Sequence, residues 1–140
     1  MVLMVWDGLD GFLQFAIMRY LKLNDWQTYR IAFQLSNYVW NIVLSWEWFA
    51  KKTIGAQFVE STDSISANLA EGFGRYNRKD KIKFYRYAAG SCKESCDWTA
   101  KAHKRELIKD EQFHYILGEL DKLPIGINTQ IKYTNEKLKE

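Results

Sequence analysis

The sequence predicts an all-α fold: an up-down-up-down antiparallel four-helix bundle with an N-terminal extension. From Asp25 onward apolar residues recur every three to four positions, the spacing of helices that bury one face. No segment shows the strict alternation of a half-buried strand. One proline and eight glycines are too few turn-forming residues for a many-stranded sandwich or barrel. We expect the extension, which can form an amphipathic helix, over residues 1–23 and the bundle over 24–140.

The first helix is expected from Asp25, which can serve as its N-cap, to about Ser45. Its apolar residues form two adjacent stripes, Tyr29, Phe33, Ser36, Trp40 and Val43 on one and Ala32, Leu35, Val39, Ile42 and Trp46 on the other. Because this face is wider than a simple bundle seam, we expect it to contact a neighbouring copy as well as the core. The six tryptophans of the chain also favour a homo-oligomer.

The second helix is expected from about Thr53 to Gly72, where Gly72 and Gly74 can end it in a left-handed conformation. Its inward stripe is Ile54, Phe58, Thr62, Ile65 and Leu69. The third helix is expected from its N-cap Asn77 to about Leu107. Its inward stripe is Ile82, Tyr85, Ala89, Cys92, Cys96 and Thr99.

The fourth helix is expected to begin at Asp110, which can cap it, and Pro124 with Gly126 is expected to kink it. Its inward stripe is Phe113, Leu117, Leu120, Pro124, Ile127, Ile131, Thr134 and Leu138, with spacings that alternate between four and three. A repeat of about 3.5 residues predicts nearly parallel packing with left-handed crossing.

Composition limits the classes of function. A chain of 140 residues that is 47% hydrophobic favours one globular domain and excludes a disordered protein. No run of 18 uncharged apolar residues occurs, so we expect no membrane span. The apolar start is interrupted by Asp7 and Asp10 and lacks the pattern of a signal peptide. Cys92 and Cys96 are too close on one helix for an unstrained disulfide, so a reducing cytoplasm is the expected location.

Positive charge is concentrated between residues 75 and 86. This segment holds six cations against one acid, a net charge of +5, whereas the whole chain carries +3. The cations are Arg75, Arg78, Lys79, Lys81, Lys83 and Arg86, and the rings of Tyr76, Phe84, Tyr85 and Tyr87 lie among them. Cations neutralise phosphates and aromatic rings stack on exposed bases, so the pattern favours RNA or single-stranded nucleic acid. The alternative is a solvated helix start whose rings face the core.

A second candidate is a polar cluster formed by Asn68, Glu71 and Arg75, which share one helical face. Glu71 lies near the end of its helix, where the dipole disfavours an anion, so we expect it to pair with Arg75 or Arg86. The cluster could shape a ligand or partner site. It could also be a hydrogen-bond network that fixes the register of the helices.

Other chemistry is weakly indicated. Cys92, Cys96 and His103 share a stripe, but a zinc site needs ligands from converging elements and His114 is the one remaining histidine. Small cysteines in a bundle core explain the pair as well, so we expect no metal. The GFG sequence lacks the lysine and Ser/Thr of a phosphate loop. No serine or cysteine has a histidine at a telling spacing, so we expect neither an enzyme nor a cofactor.

The run SISANLAEGFGR at residues 64–75, the basic residues that follow it, Phe84, the AAGS of residues 88–91 and Glu94 resemble one known family. This family comprises the four-helix-bundle proteins also called 23S ribosomal RNA intervening-sequence proteins. The resemblance covers about Leu23 to Leu138. Carried over by position, it adds Gly72 and Gly74 to the polar cluster of Asn68, Glu71 and Arg75. Cys92 and Cys96 depart from the family pattern.

The resemblance implies a left-handed up-down bundle that often assembles as a homopentamer in the bacterial cytoplasm. It implies no established enzymatic activity. Similar proteins are accessory factors of retroelements, in which a basic pentamer engages nucleic acid and a reverse transcriptase.

The leading hypothesis is therefore a non-enzymatic homo-oligomer that binds RNA or single-stranded nucleic acid through residues 75–86, with Tyr76 stacking on a base. The alternative is a protein-interaction scaffold, such as a reverse-transcriptase accessory factor, whose basic corner receives an acidic partner. A third and weaker hypothesis places an enzyme site at Asn68 and Glu71.

Overall fold

The computed structural model describes Gly11 and residues 22–138, and all regular structure in this part of the chain is helical. The helices are α1 (Gln27–Leu44), α2 (Trp48–Ala50), α3 (Ala56–Gly74), α4 (Arg78–Lys104) and α5 (Asp110–Lys137), and a π-helical turn at Lys51–Gly55 joins α2 to α3. The predicted all-α class is confirmed. The predicted extension lies outside the described residues, except for Gly11 and residues 22 and 23.

The core follows the predicted inner stripes of α1 and α3. Every residue of the second α1 stripe is buried, as are Phe58, Thr62, Ile65 and Leu69 on α3. The other α1 stripe is only partly covered, because Phe33 and Trp40 are 44% and 50% exposed. Thr62 is tolerated in the core because its hydroxyl donates to the Phe58 carbonyl at 3.0 Å.

Two predicted helix starts are wrong. Asp25 lies in a turn, where its N–H donates to the Lys22 carbonyl at 3.1 Å, and Trp26 is the N-cap of α1. The helical run leading into α3 starts at Trp48 rather than Thr53, because the Glu47 carboxylate accepts hydrogen bonds from the N–H groups of Phe49 and Ala50.

The predicted registers of α4 and α5 are also partly wrong. Cys96 is exposed, and Ser95 takes the buried position, where its hydroxyl meets the Ser61 hydroxyl at 3.1 Å. Pro124 is exposed, and the fully buried residues of α5 are Ile116, Leu120, Leu123, Ile127 and Thr134. On α4, apolar spacing did not reveal the buried position because Ser95 fills it with a hydroxyl contact to α3.

Each of the four long helices packs against two of the others. α3 packs most extensively on α4, which also packs on α5, and α1 packs against both α3 and α5. α5 begins at Asp110 with Lys109 as its N-cap, and the Gln112 side chain accepts from the Lys109 N–H at 2.8 Å, so Asp110 is not the cap. The helix runs on through Pro124, and the kink expected there stays a prediction.

Candidate nucleic-acid interface

The corner between α3 and α4, residues 75–77, depends on a close approach of the two helices. A Cβ atom on Gly72 would lie 2.7 Å from the Tyr85 ring and 3.0 Å from the Lys81 carbonyl oxygen. Only glycine therefore permits this approach. Gly72 and Gly74 do not adopt the left-handed conformation, and α3 continues through Gly74, so the predicted glycine cap is wrong.

Several polar contacts hold the start of α4. The Asn77 side chain accepts from the Asp80 N–H at 2.8 Å, which confirms the predicted N-cap. The Lys81 ammonium donates to the Phe73 carbonyl at 2.8 Å, at the end of α3, where the helix dipole favours a cation. The Arg78 guanidinium donates to the Asn135 side chain on α5 at 2.9 Å. These two cations thus have structural roles at the corner.

The polar cluster does not converge on a common point. Glu71 and Arg75 form the expected ion pair, with a distance of 2.5 Å between Oε1 and Nη2, and both side chains are substantially exposed. The Asn68 amide instead donates to the Ser64 carbonyl of its own helix at 2.8 Å. A Cβ atom on Gly74 would meet no other atom within 4 Å, apart from its neighbours in the chain and the backbone of its own helix. This geometry fits local helix-end structure and offers no enclosed carboxylate for catalysis.

Three cations of the basic segment project outward. Lys79, Lys83 and Arg86 are exposed, and none of them has a carboxylate partner within residues 22–138. Their spacing of four and three residues places them on one face of α4. The Lys83 ammonium lies 5.1 Å from the centre of the Phe84 ring, which Arg75 also approaches at 4.8 Å. This surface can attract phosphate groups without first breaking an ion pair.

The aromatic residues of the segment divide between surface and core. Tyr76 is 84% exposed and Tyr87 is 53% exposed, whereas Tyr85 is completely buried. Phe84 is half-buried and meets Tyr87 edge to face at 5.6 Å between ring centres. Only Tyr76 and Tyr87 therefore present enough ring surface for a base to stack on.

The sequence analysis missed one cation of this surface. Lys93 is exposed on α4, seven residues after Arg86 and fourteen after Lys79, and so lies on the same helical face. We call Lys79, Lys83, Arg86 and Lys93 the α4 basic face. The seven-residue spacing is visible in the sequence, but Lys93 lies outside the dense run of positive charge, which ends at residue 86.

The cysteine and histidine candidates do not come together as a reactive site. Burial raises the pKa of the Cys92 thiol to about 12 and also raises that of the exposed Cys96 above its usual value, so both stay protonated and weakly nucleophilic. His103 instead contacts Asp110, with 2.7 Å between Nε2 and Oδ1. Within the described residues, no three His, Cys, Asp or Glu side chains are grouped as metal ligands.

None of the described helices is both long enough and apolar enough to cross a membrane. The described residues thus form an all-helical protein with a basic surface at the α3–α4 corner. The chain matches the family described as 23S rRNA-intervening sequence protein over residues 24–129, and it belongs to that family. The resemblance drawn from the SISANLAEGFGR run is thereby confirmed.

A solved structure gives a second comparison. The chain is similar to a protein of unknown function from the S23 ribosomal protein family of Bacteroides thetaiotaomicron VPI-5482, with a TM-score of 0.67 and 20% sequence identity. The similarity covers 75% of this chain and 95% of that one, and at this identity it concerns the fold. No curated protein sequence matches the chain.

Proposed function

We propose that this protein is a non-enzymatic homo-oligomer of the bacterial cytoplasm that binds RNA or single-stranded nucleic acid through the α3–α4 corner. The proposed subunit is a left-handed up-down-up-down four-helix bundle. The observation that carries the proposal is the α4 basic face, whose cations are exposed and have no carboxylate partner within residues 22–138. The chain belongs to the family described as 23S rRNA-intervening sequence protein, and this description supports RNA as the first ligand to test.

In this proposal the cations bind the strand through its phosphates. Lys79, Lys83, Arg86 and Lys93 follow the backbone along α4, while Tyr76 stacks on a base at the corner. Arg75, Arg78 and Lys81 lie within reach of the same strand but also hold the corner together. Each phosphate contact releases counterions, so affinity should fall steeply as salt rises.

The test is an RNA-binding titration from about 50 to 200 mM salt, in which the wild type should lose affinity by orders of magnitude. Triple charge reversal, Lys79→Glu, Lys83→Glu and Arg86→Glu, should weaken binding on the order of 100-fold and reduce the salt slope by about three. The matched control reverses three exposed lysines elsewhere, Lys51, Lys109 and Lys132, with the same change in net charge. Equal losses in both triple variants, or an affinity insensitive to salt, would refute the proposal.

An exposed apolar surface supports the homo-oligomer and the alternative role as a protein-interaction scaffold. Phe33, Trp40 and Leu44 lie on one face of α1 and are 44–50% exposed, and Trp48 and Phe49 on α2 are 68% and 65% exposed. We call Phe33, Trp40 and Leu44 the α1 outer face. An apolar surface of this kind is typical of protein contacts. Five copies is the number that the family resemblance implies.

Sedimentation at about 10 μM tests self-assembly, since an oligomer with a micromolar or lower dissociation constant is populated at that concentration. The double variant Phe33→Glu and Trp40→Glu should dissociate the oligomer, while Ile125→Glu, at a 70% exposed position on α5, should leave it intact. A monomeric wild type would contradict self-assembly. Recovery of a reverse transcriptase in a pull-down after nuclease treatment, without binding to isolated RNA, would favour the scaffold.

A further inference from the structure

A cleft of about 470 Å³ lies between the C-terminal end of α4 and the turn that leads into α3. Its volume is within the range of small-molecule sites in proteins. The residues that border it are Lys52, Thr53, Ile54, Gln57, Trp98, Lys101 and Arg105, and we call it the Trp98 cleft. None of the four cations of the α4 basic face borders this cleft, so it is a separate feature of the surface.

The π-helical turn at Lys51–Gly55 forms one wall of the Trp98 cleft. A π-helical turn is rare in proteins and is frequently found at a functional site. Gly55, at the end of the turn, packs so closely on α1 that a Cβ atom would lie 2.8 Å from the Val43 side chain. Ile54 is buried, whereas Lys52 is exposed. The turn is therefore anchored in the core and presents a cation at the cleft.

Aromatic rings position two of the three cations that border the cleft. The Lys52 ammonium lies 4.7 Å from the centre of the Trp48 ring. The Lys101 ammonium lies 4.5 Å from the centre of the Trp98 ring. The Trp98 ring is itself held in place, because its indole N–H donates to the Glu94 carboxylate at 3.0 Å. Since an ammonium has three N–H donors, these contacts restrain both cations and leave them able to bind an anion.

The Trp98 cleft has an excess of positive charge. Lys52, Lys101 and Arg105 border it, and no Asp or Glu among the described residues does so. Asp97, outside the cleft, pairs with Lys101 at 2.6 Å and offsets one of the three charges. The Arg105 guanidinium is exposed and forms no ion pair within the described part of the chain. Three cations and one paired carboxylate thus leave a charge of +2 at the cleft.

A phosphate monoester matches this arrangement in charge and in geometry. It carries about −1.5 to −2 charges at pH 7 and has three strong acceptor oxygens. The Arg105 guanidinium can donate to two of these oxygens at once, and the two ammonium groups can neutralise the remaining charge. The Gln57 amide adds a neutral donor to the wall. A carboxylate carries a single charge and would therefore neutralise the cleft less completely.

We propose that the Trp98 cleft binds a small soluble molecule through a terminal phosphate monoester. The phosphate lies among Lys52, Lys101 and Arg105, and the exposed part of the half-buried Trp98 ring contacts the carbon atoms next to it. The phosphates within an RNA strand are diesters with one charge each, so they match the cleft less well. The inference does not depend on RNA binding, because the α4 basic face takes no part in it.

Calorimetric titration with glycerol 3-phosphate in a phosphate-free buffer near neutral pH tests the proposal. Wild-type protein should bind this probe saturably, with a dissociation constant of about 1 mM or lower. Dimethyl phosphate, a diester with one charge, should bind about tenfold more weakly. Binding of glycerol 3-phosphate should also weaken at about pH 5, below the second pKa of a phosphate monoester, which is about 6. Absence of saturable binding in the wild type would overturn the proposal.

Neighbouring lysines provide matched controls. Arg105→Gln and Lys52→Gln should each weaken the binding of glycerol 3-phosphate about tenfold, because each removes a charged hydrogen-bond donor. Lys104→Gln and Lys51→Gln remove the same charge at exposed positions outside the cleft and should change the affinity less than about twofold. All four side chains are exposed, so the variants are expected to fold. Equal losses in the cleft and control variants would overturn the proposal.

Two larger probes determine whether the phosphate belongs to a small molecule. A phosphoserine peptide that binds about tenfold more tightly than glycerol 3-phosphate would assign the cleft to a protein partner and overturn the proposal. So would a preference for 5′-phosphorylated over 5′-hydroxyl RNA that Arg105→Gln abolishes, because it would assign the cleft to an RNA terminus. Peptide affinity no higher than that of glycerol 3-phosphate, together with equal binding of the two RNAs, would support the proposal.

Discussion

The two ends of α4 form corners that are both rich in cations yet differ in net charge. Residues 75–86, at the α3–α4 corner, carry six cations and one acid, a net charge of +5. The equally long segment 101–112, at the α4–α5 corner, carries four cations and three acids, a net charge of +1. Cations are therefore common to both corners, and the scarcity of counter-charge is what distinguishes the first.

The contacts at the second corner show what counter-charge does. Lys101 pairs with Asp97 at 2.6 Å, and His103 contacts Asp110 at 2.7 Å while stacking on Phe113. The Lys101–Asp97 pair lies within α4, whereas the His103 contacts join α4 to α5. At the first corner the exposed members of the α4 basic face have no such partners within the described chain. A surface that attracts anions thus depends on the acids that are missing as much as on the cations present.

The largest expected effect comes from breaking the first corner. Gly72→Ala should destabilise the protein by about 1–3 kcal/mol, because the new Cβ would overlap the Tyr85 ring and backbone of α4. Gly74→Ala, two residues on in the same helix, meets open space and should leave stability unchanged or raise it by up to about 1 kcal/mol. Urea unfolding measures both. Equal effects of the two changes would refute the close approach.

The next effect concerns the buried hydroxyl that only the first corner contains. Tyr85→Phe should raise the free energy of unfolding by about 1 kcal/mol, because it removes an unsatisfied buried donor and keeps the ring. Tyr87→Phe, at an exposed position, should change stability little. Thermal unfolding of the variants checks this. A clear loss of stability in Tyr85→Phe would mean that the hydroxyl has a partner after all.

A smaller effect should follow when the second corner is made to resemble the first. Glu106→Gln together with Glu111→Gln raises the net charge of residues 101–112 from +1 to +3. We expect RNA affinity to increase about twofold, in line with the modest energies of exposed charges. Binding titrations at low salt measure this. A gain as large as the loss caused by triple charge reversal at the first corner would contradict the comparison.

The smallest effect is the pH dependence of the second corner. The hydrogen bond from His103, aided by its charge, lowers the pKa of the Asp110 carboxyl. The resulting stabilisation is present above the carboxyl's unfolded pKa of about 3.9 and is lost as the pH falls through the lowered folded value. Melting temperatures of wild type and Asp110→Asn should therefore converge in acid. A difference that persists there, or Glu111→Gln behaving as Asp110→Asn does, would contradict this assignment.

Much of the fold was predictable because helical spacing records which face is buried. The inner stripes of α1 and α3 and the Asn77 cap follow directly from residue order. The register of α4 was harder to predict, because the buried Ser95 hydroxyl donates to the Ser61 hydroxyl on α3 and an apolar pattern cannot show such a pair. The end of α4 was misplaced since the chain turns through Glu106, which has a φ of 58° where glycine is the usual signal.

In the candidate site, too, local features could be predicted from the sequence and contacts between helices could not. Clustered charge and the Glu71–Arg75 pair are local features, so sequence spacing predicted where they would lie. The need for glycine at position 72 and the burial of the Tyr85 hydroxyl both depend on a contact between residues on different helices. Sequence alone contained no measure of that distance, so neither feature could be predicted.

Amide hydrogen exchange with and without bound RNA most directly tests whether the nucleic-acid interface lies at the α3–α4 corner, because one experiment reports on both corners. We expect slower exchange over residues 75–86 when RNA is bound, extending along α4 toward Lys93, with no change over residues 101–112. Equal slowing at both corners, or slowing confined to residues 101–112 or to the α1 outer face, would contradict a nucleic-acid interface at the α3–α4 corner.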